Sequence, residues 1–340
     1  MATTDKRLTV TDLDFDDIKT NLKTFMRNQD SFTDYDFEGS GINALLDVLA
    51  YNTHYLAMNV NMAANEMFLD TASVRASVVS HAKTLGYTPN SARAPVGTIN
   101  VTLNNIGNLV TATIPAETVF TATIDDVSYQ FVTIAEYTTP VTNGVLSFSN
   151  IPIYEVTYTK NRYTVDTKNV DQKFKLTSDR ADTTTLKVQV FDSAESSNFK
   201  KYTLATDITQ VGSTSEVYFL QEGLDGKYEV YFGDNSFGKK LVAGNVITLE
   251  YLITDGTASN NATSFSLDGN ISGNTNVNVS LVSKASGGAT KEDIESIRFN
   301  APLSYLSQNR VVTADDYVTI VKNQYANAET VSVWGGEEND

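Results

Sequence analysis

The chain of 340 residues has no cysteine, two histidines, one tryptophan and six prolines. Without cysteine there is no disulfide framework, no thiolate zinc site and no thiol nucleophile. His54 and His81 lie on separate segments and leave little material for a histidine metal site or a Ser-His-Asp triad. Basic residues are also scarce. Against 41 Asp and Glu there are 25 Lys and Arg, a net charge of −16 that argues against a stand-alone binder of the phosphate backbone. Long apolar runs are missing too. The amino terminus, MATTDKRLTVTDLDFDDIK, lacks the core of a signal peptide, and the most apolar stretch, 42–62, is broken by Asp47, Asn52, His54, Asn59 and Asn61. What is present, 41% hydrophobic and 19% charged residues with 17 Tyr and 16 Phe, describes a chain that folds and has a β-rich body.

From about Asp12 to Thr84 the apolar residues recur at helical spacing. Ile18, Leu22, Phe25 and Met26 fall on one stripe, with Asp14, Asp16 and Asp17 at the start of that helix and Lys23 and Arg27 toward its end, the order the helix dipole favours. A second helix from about Gly41 carries Ile42, Leu45, Leu46, Leu49, Leu56 and Val60, more apolar surface than one exposed face needs, so burial in a bundle is expected. A third, from about Ala72 to Leu85, is expected to turn Val74, Val78, Ala82 and Leu85 inward, with Gly86 as a left-handed cap and Pro89 just beyond.

After Pro95 the pattern shifts to short alternating runs such as 98–103, TINVTL, which place apolar side chains on one face of a strand. Asn143-Gly144 suits a type I′ hairpin, and Asp225-Gly226, Gly233-Asp234-Asn235 and Asp255-Gly256 mark later turns of an expected meander with insertions. Residues 193–212 read as an inserted loop or a short helical crossing, and 260–278, rich in Asn, Ser, Thr and Gly, as an irregular surface segment or linker. Helical spacing returns at Thr290, where Thr290 with Asp293 and Thr313 with Asp316 resemble capped helix starts. Thr330 to Trp334 then reads as a strand with no partner after it, so a further domain is expected. The fold class is α+β multidomain: an amino-terminal helical segment over 1–94, a central β-rich body over 95–282, and short helices with a strand over 283–340.

Candidate chemistry reads poorly. Asp12, Asp14 and Asp16 imitate the start of a calcium loop, but Asp17 stands where glycine is needed and Lys23 where a bidentate glutamate belongs, so a helix cap is the better reading. Phe37-Glu38-Gly39-Ser40-Gly41 lacks the preceding strand and following lysine of a phosphate cradle and reads as a loop delivering Ser40 as a cap. Gly233 to Gly238 is explained by turn formation. No carboxylate pair is marked out by an apolar, aromatic setting, which favours a non-enzyme with no metal or cofactor. A β-rich carbohydrate-binding or adhesin module is the alternative, favoured by the Tyr-rich strands.

Three segments in order resemble one family. They are 37–53, FEGSGINALLDVLAYNT, followed by 65–70, NEMFLD, and 85–89, LGYTP; then 230–239, VYFGDNSFGK; then 287–298, GGATKEDIESIR, with Ala301-Pro302 and 310–317, RVVTADDY. They are similar to the baseplate wedge subunit of T-even-like contractile-tailed phages, within the wider baseplate J-like group. The resemblance implies a structural virion protein of the tail baseplate, assembled in the host cytoplasm. Its implied partners are itself, as a homodimer, other wedge proteins and neighbouring wedges, through amino-terminal helices in a shared bundle, with neither nucleic acid nor membrane. Pattern alone suits Ile18, Leu22, Phe25 and Met26 equally to packing within their own domain, and the resemblance implies that they line the intersubunit bundle. Contraction is expected to hinge the helical part against the β part near Asn90 to Pro95, where Pro and small residues break the pattern.

Overall fold

The computed structural model describes residues 14–29, 38–104, 107, 109–142, 144–166, 168–169, 171–206, 208–307, 313–324 and 330–334. Its contacts divide the chain into two units that meet in sequence between Thr84 and Leu85.

The first unit holds three helices, α1 (Phe15–Arg27), α2 (Gly41–Glu66) and α3 (Arg75–Thr84). Each start is explained by a side chain that satisfies orphan amide donors. Asp14 accepts from the amides of Asp16 and Asp17 at 2.8 and 3.3 Å, and Ser40 from that of Asn43 at 3.0 Å, as the sequence predicts. Asp12 and Phe37, which the calcium-loop and cradle readings need, lie outside the described residues. Ahead of α3 the cap comes from a distance: the Glu66 carboxylate accepts from the Ser73 amide and hydroxyl and the Val74 amide. Val78 and Ala82 are buried as expected and Val79 joins them, whereas Val74, whose amide the cap holds, is exposed and Leu85 is half-buried. Gly86 adopts a φ of +76°, the left-handed stop expected there.

The second unit contains fifteen described strands and two helices. In chain order the strands are β1 (Val96–Leu103), β2 (Thr111–Ile114), β3 (Val119–Ile124), β4 (Val127–Val132), β5 (Tyr137–Pro140), β6 (Leu146–Glu155), β7 (Thr157–Thr164) and β8 (Phe174–Lys175). There follow β9 (Ala181–Phe191), β10 (Phe199–Leu204), β11 (Val217–Glu222), β12 (Tyr228–Phe232), β13 (Val246–Ile253), β14 (Ser266–Leu267) and β15 (Val277–Ser286). Helices α4 (Ile294–Ser307) and α5 (Ala314–Gln324) close the described order. One sheet runs β14-β3-β4-β6-β1-β15, another β7-β13-β9-β10-β11-β12-β8, and β2 pairs with β5.

Alternation decides which face of each strand is buried. Ile99, Val101 and Leu103 of β1 join Phe120, Phe131 and Ile153 in the core of the first sheet. Val188, Tyr218, Tyr228, Val230, Leu249 and Tyr251 do the same for the second. The Tyr-rich strands therefore spend much of their aromatic surface on packing, which removes the main support for a sugar-binding platform. β6 and β7 form a nearly continuous ribbon that leaves one sheet and joins the other through buried Val156. Polar joints fix the crossing. Glu155 accepts from the Thr254 hydroxyl at 2.7 Å and the Asp255 amide at 3.0 Å, and Asp182 accepts from the Ala94 amide at 3.1 Å.

Several expectations change here. The region 193–212 contains strand β10, which pairs in parallel with β11, and a short 3-10 turn at Ile208–Gln210. Residues 260–278 are no linker: Ala262, Phe265 and Ile271 are buried in the first sheet's core, three apolar anchors hidden in a polar composition. The pairing of β1 with β15, far apart in sequence, likewise departs from the expected meander with insertions. α4 is capped by Asp293, whose carboxylate accepts from the Ser296 amide at 2.7 Å, not by Thr290, while Thr313 and Asp316 form the expected reciprocal box. Thr330 to Trp334 carries no strand pairing among the described residues. Asn143 lies outside the described residues, but Thr142 and Val145 exchange both backbone hydrogen bonds around that turn. The expected hinge at Asn90 to Pro95 is instead stitched into the second unit, through the Asn90, Arg93 and Ala94 amides.

Gly288 has a steric reason. A Cβ on Gly288 would stand 2.4 Å from the Gly256 carbonyl oxygen and 2.9 Å from Pro95 Cδ, so only glycine lets these backbones approach. Between β3 and β4 the opposite holds: Asp125 and Asp126 both take positive φ, 47° and 64°, in a two-residue hairpin turn that prefers glycine at its second position. Asp126→Gly is expected to stabilise the β body by roughly 0.5–1 kcal/mol, read as a raised urea midpoint. An unchanged or lowered midpoint contradicts the turn assignment.

Candidate functional site

Of the groups that might carry chemistry, His81 and Asp234 are committed to structure. His81 sits with Nε2 2.9 Å from the Glu66 carbonyl oxygen, which ties α3 to the end of α2. Asp234 accepts from the Ser236 and Phe237 amides, closing its own turn, and these amides hold its carboxyl below the usual range. A groove of about 580 Å³ at one end of the second sheet is floored by Phe174, Tyr231 and Phe232, but its rim mixes Asp166, Asp171 and Asp234 with Lys173 and Lys240. Glu155 is a carboxyl pushed upward, by burial that outweighs the opposing pull of the Thr254 hydroxyl and Asp255 amide. It lines neither that groove nor the 340 Å³ pocket beside Asn90 and Glu292.

Glu155 yields a pH prediction. Because its folded pKa lies above the ordinary 4.5, the native state holds its proton more tightly than the unfolded chain does, and this group's contribution to stability falls as pH rises through that window. The difference in urea midpoint between the protein and Glu155→Gln is expected to shift in favour of the variant from pH 4 to pH 7. A difference that stays constant would contradict the assignment.

The distinctive surface is helical. α2 buries only a narrow stripe, Asn43, Leu46, Ala50, Ala57 and Asn61, and α1 packs along the helix with Lys19 paired to Asp47. Two further apolar stripes flank it and stay exposed. Val48, Tyr51, Tyr55, Met58 and Met62 follow steps of three and four along one flank, with the Tyr51 and Tyr55 rings 4.9 Å apart. Leu45, Leu49, Leu56 and Val60 lie on the other flank, and Leu45 is 64% exposed. A helix that is apolar all round belongs in the interior of a bundle. The acidic surface of a soluble monomer has no use for it, and exposed patches of this kind mark sites of association.

The four stripe residues of α1 divide. Ile18, Leu22 and Met26 are half-buried, whereas Phe25 is 63% exposed. The flank from Val48 to Met62 is not legible from the leucine pattern of α2, although its spacing is as regular as the one on α1, because it is built mainly from tyrosine and methionine.

Comparison with known proteins gives this surface a setting. Residues 14–87 match the family described as baseplate wedge protein gp6-like, helical domain, and 159–261 match bacteriophage baseplate wedge protein gp6, third domain. The chain is also 32% identical over 344 residues to baseplate wedge protein gp6 of Enterobacteria phage T4, across 92% of this chain and 50% of the relative. The chain belongs to the gp6-like baseplate wedge family. It spans half the length of that relative. A cryo-EM structure of the anti-feeding prophage baseplate overlaps 91% of this chain and 56% of its own at 10% identity and a TM-score of 0.35, a likeness too loose to argue from. In this wedge-family chain the first match covers α1 to α3 with both exposed stripes, and the second covers most of the second sheet.

Proposed function

We propose that this chain is a structural, non-catalytic subunit of a contractile-tail baseplate wedge in the virion, and that its helical unit forms part of a bundle shared with a second copy and with other wedge proteins. The observation that carries the reading is α2, apolar on three sides and covered on one. Obligate interfaces resemble a core cut in half, and the two open flanks have that character. Of the expected partner-binding region 1–94, the part up to Thr84 then meets the partners while 85–94 is built into the second unit, 95–282 acts as a spacer, and 283–340 contributes to ring contacts. Ile18, Leu22, Phe25 and Met26 belong to the bundle, with Phe25 reaching outward and the other three also holding α1 on α2.

Phe25→Asp separates the two roles. Burying a phenylalanine is worth about 1.5–3 kcal/mol, so the variant is expected to keep its helix content by circular dichroism and to bind its wedge partners roughly ten- to a hundredfold more weakly in co-elution titrations. Unaltered affinity would remove α1 from the interface.

A further inference from the structure

The segment by which the chain enters the β body, 87–93, and the segment by which it leaves, 287–300, are bonded to each other. Arg93 and Ala289 donate their amides to each other's carbonyl oxygens at 2.9 and 3.1 Å, and the Glu292 amide donates to the Asn90 carbonyl at 3.1 Å. The Glu292 carboxylate, 9% exposed, then collects donors from both sides. From the incoming side come the Tyr87 hydroxyl at 2.8 and 2.9 Å and the Asn90 amide at 2.8 Å. From α4 come the Ser296 hydroxyl at 3.0 Å and the Asn300 amide at 2.9 Å. Next to it the Lys291 ammonium pairs with buried Glu222 at 2.8 Å and lies 5.1 Å from the centre of the Tyr228 ring, while the Tyr228 hydroxyl donates to the Pro89 carbonyl. One acidic side chain thus reinforces these backbone bonds between two stretches of chain that are separated in sequence by both sheets.

We propose that Glu292 makes the incoming segment and the first turns of α4 a single mechanical element, which opens, closes and shifts together, so that a displacement delivered to one is passed to the other without travelling through the sheets. A shared, desolvated acceptor is suited to this, because losing a donor on one side weakens the orientation of the carboxylate for every donor on the other. The inference goes beyond the assembly role and stands without it, since it concerns the isolated chain. A clasp that merely added local stability would respond only where it is cut.

Two substitutions test the difference in the intact chain. Tyr87→Phe removes the hydroxyl donor of the incoming side, and Asn300→Ala removes a side-chain amide donor of α4. Hydrogen exchange is read at amides that do not bridge the clasp: Ala94, which donates to Asp182, and Ser296 and Ile297, which donate to Asp293. Each substitution is expected to speed exchange at all three by a similar factor, about three- to tenfold for one lost hydrogen bond, with Ile247 and Leu249 in the second sheet unchanged. Acceleration confined to the substituted side would overturn the proposal. So would equal acceleration at Ile247 and Leu249, which would make the clasp an undistinguished part of global stability.

Discussion

Glu292→Ala is expected to cost roughly 3–5 kcal/mol, a large part of the stability of an ordinary domain. The reason is the number of groups it orphans. The Tyr87 hydroxyl, the Asn90 backbone amide and the Ser296 hydroxyl lose their acceptor, the Asn300 side-chain amide keeps only Ser296 Oγ, and Tyr87 is only 6% exposed, so water cannot fully replace what is removed. Burial and the Glu292 carboxylate already push the Tyr87 hydroxyl well above its usual pKa, so this proton stays on tyrosine and the bond is a neutral donor to a charged acceptor. Urea unfolding followed by circular dichroism in the β region measures the loss. Glu292→Gln keeps one acceptor oxygen but presents an amide to the Asn90 N–H, and a smaller cost of about 1–3 kcal/mol is expected. If alanine costs less than 1 kcal/mol, the carboxylate is not the organising group.

The second large effect concerns association. Leu49→Asp with Leu56→Asp places two charges on one flank of α2, and Tyr51→Asp with Met58→Asp does so on the other. All four side chains are at least half exposed in the isolated chain, so helix content is expected to survive in both variants. Within a bundle each would bury a charge and forfeit apolar contact, and affinity for the partner on that flank is expected to fall on the order of a thousandfold. The two pairs need not block the same partner, since one flank is aliphatic and the other aromatic and methionine-rich. A double variant that assembles with unchanged affinity would place its flank outside the interface.

The parts of this architecture that local chemistry decides could be read in the sequence. Asp14, Ser40 and the Thr313–Asp316 pair are caps because a short oxygen acceptor stands two or three residues before an orphan amide, and no distant residue is needed to see it. The β body was readable as alternation. What escaped depends on residues far apart. Glu66 caps α3 from the end of α2, Phe265 and Ile271 enter a core from a segment of polar composition, and Glu292 has partners more than two hundred positions upstream. No periodicity encodes such bonds. The candidate surface sits between these cases: α1 announces a stripe, but which of its residues face outward is settled only by where α2 lies, which is why Phe25 separates from Leu22.

The −16 net charge bears on how partners are recruited. Partners carrying basic patches would be steered toward this chain, and salt should slow that approach more than it weakens the apolar contact once formed. The account depends most on the two open flanks of α2 being covered by other helices. Multi-angle light scattering of the intact chain, alone and mixed with candidate wedge partners, tests this most directly. A mass above that of one chain, or a defined complex with wedge partners, is the predicted result; a strict monomer that joins none of them would contradict the account.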